Sequence, residues 1–390
     1  MMKNLIRRLL KRRFSNKPLI TIEISKSRLL HNIEEYRKLA PKGRLIPALK
    51  SNAYGHGICT VADILESELK AGSIPRSAIP FFAIDSYFEA INLRAKGVKT
   101  PLLIIAYTRP DVMQDSCLKN ISYVVSNIET LEDISRIYKI INIHLKIDTG
   151  MHRQGIFPSE IDRAVKIIKS NPNINLEGIC SHFADADNAD STFTMEQIKL
   201  WNEVVSKFEK IFGNIPYIHL SNSYGHKYAK DVKANISRLG IGLYGLCNNL
   251  TDDMSLQPIL SMKTILTGIK TINKGDTVGY SNTFTADREM KIANIPVGYS
   301  EGLDRQLSNI GFVQVGPNKT LCPIIGRISM NITTIDVSGL KDPKIGDEVI
   351  VISNDIGDKN SISGMIGVLH NTIEYELLVH IPQHLKRVVV

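Results

Sequence analysis

Residues 141–182 contain the pattern that decides the fold: INIHLKID (141–148), EIDRAVKIIKSN (160–171) and INLEGICSH (174–182). The first and last runs are rich in apolar and β-branched residues, which is typical of buried strands. The middle run repeats apolar residues every three or four positions, which is typical of a helix packed on a sheet. A strand, a crossover helix and a second strand form the βαβ unit of a parallel sheet.

The same alternation extends over most of the chain. Six more strand-like runs are RLIPALK (44–50), IPFFAID (79–85), PLLIIAY (101–107), ISYVVSN (121–127), YIHLSNS (217–223) and ISRLGIGLYG (236–245). Eight such runs, mostly separated by helical stretches, fit an α/β fold with a (β/α)8 (TIM) barrel of about 250 residues. A doubly wound sheet is less favoured, because the polar residues of interest follow strands spread over the whole set and not one switch point.

From about residue 255 the pattern changes to alternating segments broken by turn signals, which is typical of an antiparallel β domain. These segments are MKTILTGIKTI (262–272), MKIANIPVG (290–298), GFVQVG (311–316), NITTIDV (331–337) and DEVIVIS (347–353). We predict three parts: a basic N-terminal extension (1–19), a barrel (20–253) and a mostly antiparallel C-terminal β domain (254–390). The barrel part begins with the strand-like ITIEIS (20–25) and a helix over Lys26–Leu39.

The composition of the 390 residues, 43% hydrophobic and 22% charged, is that of a globular protein. No apolar run reaches the roughly 18 residues of a transmembrane helix. The five cysteines are odd in number, far apart and without CxxC or metal-ligand spacing. We therefore expect no metal site, and reduced thiols in a cytoplasmic protein.

The basic charge is concentrated at the N-terminus. Residues 1–17 hold seven of the 48 Lys and Arg residues and no acid, which leaves 41 basic against 39 acidic residues elsewhere. A nucleic-acid partner is not expected, since no basic face is left on the folded part. The composition of this segment favours a solvated chain end. Two alternatives stay open: binding to an anionic membrane surface, and a role in organelle targeting.

Lys50 ends the apolar run RLIPALK, and in a barrel the active-site groups follow the carboxyl ends of strands. Partial desolvation there would lower the pKa of the lysine and favour the neutral amine that forms a Schiff base. Taken alone, Lys50 is better explained as a lysine that marks the exit of a strand to solvent.

The stretch PALKSNAYGHG (47–57) closely resembles the pyridoxal-phosphate lysine motif of the alanine racemases. The resemblance continues in the same order over nearly all of residues 20–380. The further motifs are KIDTGMHRQG (146–155), SHFADAD (181–187), SNSYG (221–225), RLGIGLYG (238–245), VGYSNTFTA (278–286), IPVGYSEGLDR (295–305) and GRISMN (326–331).

The resemblance implies a pyridoxal 5'-phosphate site in the barrel. Lys50 would hold the cofactor covalently and act as one catalytic base, and His182 would lie against the ring and hydrogen-bond to Arg238. Arg238 would face the pyridine nitrogen; because it stays protonated, it disfavours a second positive charge there and favours racemisation over decarboxylation. The residues implied in binding the phosphate end are Tyr54, Ser223, Gly240, Ile241 and Tyr375, and Asn222 is implied in binding the cofactor.

Racemisation requires a proton to leave one face of the α-carbon and another to arrive on the opposite face. The resemblance implies that Tyr280 of a neighbouring copy supplies the second base, so that a homodimer shares its active sites. Without the motif, Tyr280 would be better explained as a packed strand aromatic. Arg153, Tyr299 and Met330 match residues that bind or admit the substrate, and Lys146 matches a lysine that is carbamylated in some members.

Three positions depart from the family pattern. Asn331 replaces the usual acid after the methionine of GRISMN, and Phe284 replaces a tyrosine. A tyrosine often found near the C-terminus falls around Gln383. We expect these changes to affect rate and specificity more than the type of reaction.

The resemblance thus implies a homodimeric, pyridoxal-phosphate-dependent racemase of alanine that supplies D-alanine for peptidoglycan. Alternatives are a broad-specificity racemase, a decarboxylase on the same barrel, or a non-catalytic pyridoxal-phosphate protein. The β domain that carries Tyr280 argues against the last of these.

Overall fold

The computed structural model describes residues 18–247 and 254–390. They form two compact units: Ser25–Ile259 with Val389–Val390, and the residues up to Ile24 with Leu260–Val388. Residues 1–17 of the predicted extension, and residues 248–253 at the end of the predicted barrel, lie outside the described residues. In the described part of the chain, no helix has the length and apolar character needed to cross a membrane.

The first strand, β1 (Thr21–Ile24), pairs antiparallel with residues 260–263 and so belongs to the unit formed mainly by Leu260–Val388. Its side chains are alternately half-buried and buried, as in a sheet with one covered face. The limits 1–19, 20–253 and 254–390 remain predictions. In the structure, β1, which is predicted to begin the barrel part, belongs to the β unit.

The unit Ser25–Ile259 contains eight parallel strands, and each lies within one of the predicted runs. Their bounds are β2 (Leu45–Pro47), β3 (Phe82–Ile84), β4 (Leu102–Ile104), β5 (Ile121–Val125), β6 (Ile141–Lys146), β7 (Ile174–Cys180), β8 (Tyr217–His219) and β9 (Ser237–Leu239). Most of their residues are buried, because helices cover the sheet. The prediction of a parallel strand–helix fold is confirmed.

The strands close into a ring. Strands β3 to β8 form one sheet in chain order, and β2 pairs with β9 in a second. A parallel bridge between Ala48 and Ala83 joins β2 to β3. On the other side, the N–H of Asn235 donates to the carbonyl of Ile218 at 3.0 Å, which joins β9 to β8. These links complete the (β/α)8 barrel.

The helices of this unit bury one apolar stripe each. In Ile161–Ser170, for example, Ile161, Ala164 and Ile168 are buried, at the spacing of a single helix face. The helices are Lys26–Leu39, Ile58–Ala71, Tyr87–Ala95, Pro110–Asp115, Ile128–Ile134, Ile161–Ser170 and Thr192–Phe212.

The other unit is mostly antiparallel, as predicted. Its further strands are β10 (Leu260–Ile265), β11 (Gly268–Ile272), β12 (Thr277–Val278), β13 (Phe284–Thr285), β14 (Met290–Ile295), β15 (Phe312–Val315), β16 (Thr320–Pro323), β17 (Thr333–Asp336), β18 (Glu348–Ile352) and β19 (Lys386–Val389). Three sheets have the orders β16-β15-β18-β10-β1-β19, β11-β14-β17 and β12-β13. Two short helices, Ile362–Ile366 and Glu374–Val379, follow β18.

Candidate active site

Lys50 lies just after the carboxyl end of β2 and begins a short turn that ends at Tyr54. Ser51, Asn52, Ala53 and Tyr54 all have φ between +52° and +56°. Left-handed backbone costs roughly 1–2 kcal/mol for each residue with a Cβ atom. Four such residues in a row must therefore be held by their surroundings.

The turn after Lys50 is held by two polar side chains. Asn52 Oδ1 accepts the N–H of Ile58 at 3.0 Å. Glu89 accepts the N–H of Asn52 at 3.3 Å with one oxygen and the N–H of Asp85 at 2.7 Å with the other. Burial raises the pKa of Glu89. Backbone strain that the surroundings enforce is characteristic of functional sites.

Arg238, on β9, is held by five acceptor atoms. Nη2 donates to the carbonyls of Ser181 at 2.6 Å and Leu220 at 2.8 Å, and Nη1 donates to the carbonyl of His219 at 3.2 Å. Nδ1 of His219 lies 2.5 Å from Nη1, and Nδ1 of His182 lies 3.1 Å from Nη2. Because a guanidinium only donates, both Nδ1 atoms must accept. The hydrogen bond between His182 and Arg238 that the resemblance implies is present.

Behind Arg238 the hydrogen bonds continue through two buried histidines. Since Nδ1 of His219 accepts, its proton is assigned to Nε2, which lies 2.8 Å from Nδ1 of His144. Nε2 of His144 faces a carboxylate oxygen of Glu177 at 3.7 Å, and Ser122 donates to the same oxygen. Burial lowers the pKa of His144 and lowers that of His219 well below its usual value. Both rings are therefore neutral at pH 7.

His182 follows the carboxyl end of β7, where the positive charges of four side chains act on it. Burial lowers the pKa of His182 well below its usual value, and the positive charges of Arg238, Lys146, Arg153 and Lys50 lower it further. Like charges collected in one partly buried place favour an anionic ligand. The arrangement fits a cofactor with a phosphate group.

Lys146 lies at the end of β6. Its Nζ donates to Oε1 of Gln154 at 3.3 Å. Burial lowers the pKa of Lys146, and the charges of Arg238 and Arg153 lower it further. The side chain is thus more readily deprotonated than an exposed lysine.

Ser223 and Tyr54 meet beside the loop that follows β9. Ser223 Oγ accepts the N–H groups of Gly240 and Gly242, each at 3.1 Å. A Cβ atom on Gly240 would lie 3.0 Å from Tyr54 Oη, so the hydroxyl reaches this loop. Burial raises the pKa of Tyr54 to about 12, although the charge of Arg238 opposes the shift. The phenol therefore keeps its proton and can donate it to an anion.

Two more of the predicted cofactor-binding residues lie close by. Asn222 precedes Ser223, and its Oδ1 accepts the N–H of Gly225 at 2.8 Å. Ile241 begins the buried 3-10 turn Ile241–Tyr244. Tyr375 differs in that it lies in the β unit, on the helix Glu374–Val379.

In the β unit, Tyr280 lies at the tip of the hairpin formed by β12 and β13. It follows Gly279 (φ +75°) and precedes Ser281 (φ +61°), so the tip is a tight turn and not a strand. Its side chain is 70% exposed, which excludes packing within the core of this chain. Phe284, on the returning strand, packs against a buried cluster that anchors the hairpin.

The hairpin with Tyr280 touches the segment that leads to Met330, and this segment touches the turn with Tyr299. A Cβ atom on Gly326 would lie 2.6 Å from the carbonyl oxygen of Val278. One on Gly298 would lie 2.1 Å from the carbonyl oxygen of Ser329. Such approaches require glycine.

Tyr299 and Met330 are 43% and 57% exposed. Together with Tyr280 they place three large side chains on the surface of the β unit, while Gln383 is an exposed residue before β19. Large apolar groups that one surface presents together are typical of binding or association sites.

Four residues that hold the barrel site were not predicted from the sequence: Glu89, His144, Glu177 and His219. No local signal marks any of them. His144 and His219 lie within the predicted strands, and a single histidine in a strand is most simply explained as a satisfied core residue. They line up with Arg238 only in the folded barrel, because the three residues lie on different strands: β6, β8 and β9.

Comparison with known proteins agrees with the fold and the motifs. The profile of the alanine racemase N-terminal domain matches residues 24–248, and that of the alanine racemase C-terminal domain matches residues 259–389. The alanine racemase of Sorangium cellulosum is 32% identical over 94% of this chain and 97% of its own length. That of Methanococcus maripaludis is 33% identical over 95% of this chain and 98% of its own.

Solved structures lead to the same family. An alanine racemase of Clostridium difficile superposes with a TM-score of 0.85, at 28% identity and over 96% of each chain. That of E. faecalis has a TM-score of 0.85, at 27% identity, and covers 96% of this chain and 99% of its own. The chain therefore belongs to the alanine racemase family, whose enzymes depend on pyridoxal phosphate to interconvert L- and D-alanine.

Proposed function

We propose that this protein racemises alanine with two bases, Lys50 and Tyr280 of a second copy. The observation that carries the proposal is the group of cationic side chains around His182, with Lys50 held in a strained turn beside it. A lysine aimed by enforced backbone strain is suited to a task that needs fixed orientation.

The barrel residues fit pyridoxal phosphate. Lys50 would bind it covalently, and the hydroxyls of Tyr54 and Ser223 with the loop Gly240–Ile241 would hold its phosphate. Tyr375 would complete the phosphate end, and Asn222 would also contact the cofactor. When bound, the cofactor supplies an electron sink that makes the α-proton of alanine removable.

Arg238 would face the ring nitrogen of the cofactor. Three carbonyls and two imidazoles accept from its guanidinium, so it is fixed in place. A protonated guanidinium can donate a hydrogen bond but cannot accept one. A donor-only cation there would keep the ring nitrogen of a bound cofactor unprotonated and would limit how far negative charge spreads into the ring. This supports racemisation over decarboxylation and side reactions.

Lys50 and Tyr280 would exchange protons at opposite faces of the α-carbon. The 70% exposure of Tyr280 supports its action on a neighbouring copy, because a buried tyrosine would be committed to its own core. A homodimer with shared sites follows from this assignment. The exposed Tyr299 and Met330 are compatible with the same association surface.

The substrate would be held by its carboxylate. Arg153 offers a planar pair of donors, and the backbone N–H of Met330 offers a third. Tyr299 and Tyr280 would leave room for a methyl group but not for a long side chain. We also propose that Lys146 is carbamylated, since its lowered pKa favours the neutral amine that reacts with carbon dioxide; the modified side chain would orient Arg153.

The product D-alanine would serve peptidoglycan synthesis. We place the enzyme in the cytoplasm, where cysteines stay reduced. None of the five cysteines, all within the described part of the chain, forms a disulfide.

Lys50→Ala tests the proposal. The purified wild-type protein should show the visible absorbance of lysine-bound cofactor, exchange the α-hydrogen of alanine in heavy water and convert L- to D-alanine on a chiral column. The variant should lose all three, whereas Lys139→Ala in the same unit should keep them. A wild-type protein with neither absorbance nor exchange would refute the assignment, and carbon dioxide release from an amino acid would identify a decarboxylase.

A further inference from the structure

The turn with Tyr299 and the segment with Met330 are joined backbone to backbone. The N–H of Tyr299 donates to the carbonyl of Ser329 at 3.2 Å, and that of Ser300 donates to the carbonyl of Met330 at 2.9 Å. Glycine at position 298 permits this approach, because a Cβ atom there would lie 2.4 Å from the carbonyl oxygen of Met330. The two segments are therefore held against one another along their backbones.

A pair of side chains closes the same junction. Glu301 is 7% exposed, and one of its oxygens accepts the N–H of Gly298 at 2.9 Å. The other oxygen accepts Nδ2 of Asn331 at 2.7 Å. Within the described residues, no cation lies within ion-pair distance of Glu301. Two neutral N–H donors thus stabilise a buried carboxylate.

The amide of Asn331, an exposed residue, supplies one of the two hydrogen bonds to Glu301. An aspartate at the same position would place two carboxylates at hydrogen-bond distance, where they cannot both ionise without strong repulsion. Asn331 is also the position at which the chain departs from the acid usual in the family. The amide that replaces the usual acid therefore has a hydrogen-bond partner, Glu301, within the same unit.

We propose that Glu301 and Asn331 form a positioning pair that fixes Tyr299 relative to the backbone of Met330. Through them the pair sets the affinity for the carboxylate of alanine and the size of the side chain admitted. This inference rests on the proposed function, since it assumes that Tyr299 and Met330 face the substrate. Neither Glu301 nor Asn331 takes part in proton transfer.

The test compares the full-length, cofactor-loaded wild type with Asn331→Asp, Glu301→Gln and the double variant. Asn331→Asp should raise KM for L-alanine about tenfold and change kcat by less than about twofold, because binding and not chemistry is disturbed. The double variant should return KM to within about twofold of wild type. The side-chain amide introduced at position 301 can donate to the new carboxylate, while its oxygen still accepts from Gly298.

Two further variants keep the test decisive. Asn331→Ala removes the donor without adding charge and should raise KM about threefold, even if Asn331→Asp does not fold. Asn318→Asp makes the same chemical change at an exposed position between β15 and β16 and should leave KM unchanged.

The outcomes distinguish a failure of the positioning pair from a failure of the proposed function. A wild type that racemises alanine, with KM unchanged in Asn331→Asp and in Asn331→Ala, would overturn the positioning pair alone. A double variant no better than Asn331→Asp would overturn it as well. A wild type with no exchange of the α-hydrogen of alanine would overturn the proposed function, and the positioning pair with it.

Discussion

The two units hold their candidate site residues by opposite means. In the barrel, Arg238 is bound by five acceptors, and buried histidines orient it from behind. In the β unit, Tyr280, Tyr299 and Met330 extend from turns and are 70%, 43% and 57% exposed. Arg238 is fixed by the same contacts that fold the chain, whereas the three residues of the β unit are held through the turns that carry them.

This difference has a general consequence. A side chain that belongs to a buried polar network contributes to stability and to function at once. A side chain on an exposed turn can serve function with little effect on stability. Substitutions in the barrel site should therefore affect both quantities, and substitutions in the β unit should separate them.

The largest difference between the effect on activity and the effect on stability is expected for Tyr280→Phe. Loss of a proton-transferring group reduces the rate by about 10²- to 10⁴-fold, while the free energy of unfolding should stay within about 0.5 kcal/mol of wild type. Chiral chromatography gives the rate, and urea unfolding gives the stability. Tyr138→Phe, at a side chain that is 95% exposed in the barrel unit, is the control. Racemisation at the wild-type rate would remove Tyr280 from the mechanism.

Arg238→Gln should affect both quantities. Several carbonyls and two imidazoles lose a charged donor, so the free energy of unfolding should fall by about 3 kcal/mol together with the racemase activity. The control is Arg288→Gln in the β unit, which removes the ion pairs of an exposed arginine with the exposed Asp287 and the more buried Asp336. This change should cost no more than about 1 kcal/mol. Equal losses for the two variants would contradict the contrast between the units.

The pH dependence of stability should also come from the barrel. Burial lowers the pKa of His226 to about 4, against about 6.5 in the unfolded chain. Between these values the unfolded chain binds a proton that the folded chain does not, so stability falls as the pH falls. The slope from His226 is at most about 1.4 kcal/mol per pH unit.

Urea unfolding at several pH values from about 7.5 down to about 4.5 measures this slope. His226→Gln should flatten it, whereas His384→Gln, at an exposed position of the β unit, should not. A wild-type stability that rises on acidification over this range would show that buried carboxylates with a raised pKa, such as Glu89, outweigh the buried histidines.

The smallest effect is expected for Phe284→Tyr, which restores the residue usual in the family. Phe284 is only partly buried where it packs on the cluster below the hairpin of Tyr280. One added hydroxyl at such a position should change the free energy of unfolding by less than about 0.5 kcal/mol and the rate by less than about twofold. A larger gain in rate would mean that the position of Tyr280 depends on the missing hydroxyl as well as on the packing of Phe284 against the buried cluster.

The sequence predicts the fold well because the barrel strands are continuous apolar runs and the β-domain strands alternate. Lys50 and Arg238 are found for a similar reason: each ends or lies in such a run within a recognisable motif. The partner of β1 could not be predicted, since its pairing with residues 260–263 spans most of the chain.

The supporting contacts escaped prediction on physical grounds. Glu89 accepts a hydrogen bond from the turn of Lys50, although it lies on a separate helix. His144 contacts His219 on β8, and His219 contacts Arg238. Glu301 and Asn331 lie thirty residues apart and meet only because Gly298 lets two backbones touch. Contacts of this kind depend on tertiary packing, and one sequence carries no local trace of them.

The left-handed turn after Lys50 bears on any attempt to transplant this site. A peptide with the sequence of residues 50–54 would relax to ordinary right-handed or extended backbone, because nothing local offsets the roughly 4–8 kcal/mol that four left-handed residues require. A designer who grafts the lysine into another barrel would need to bring Asn52, Glu89 and the strands behind them as one piece.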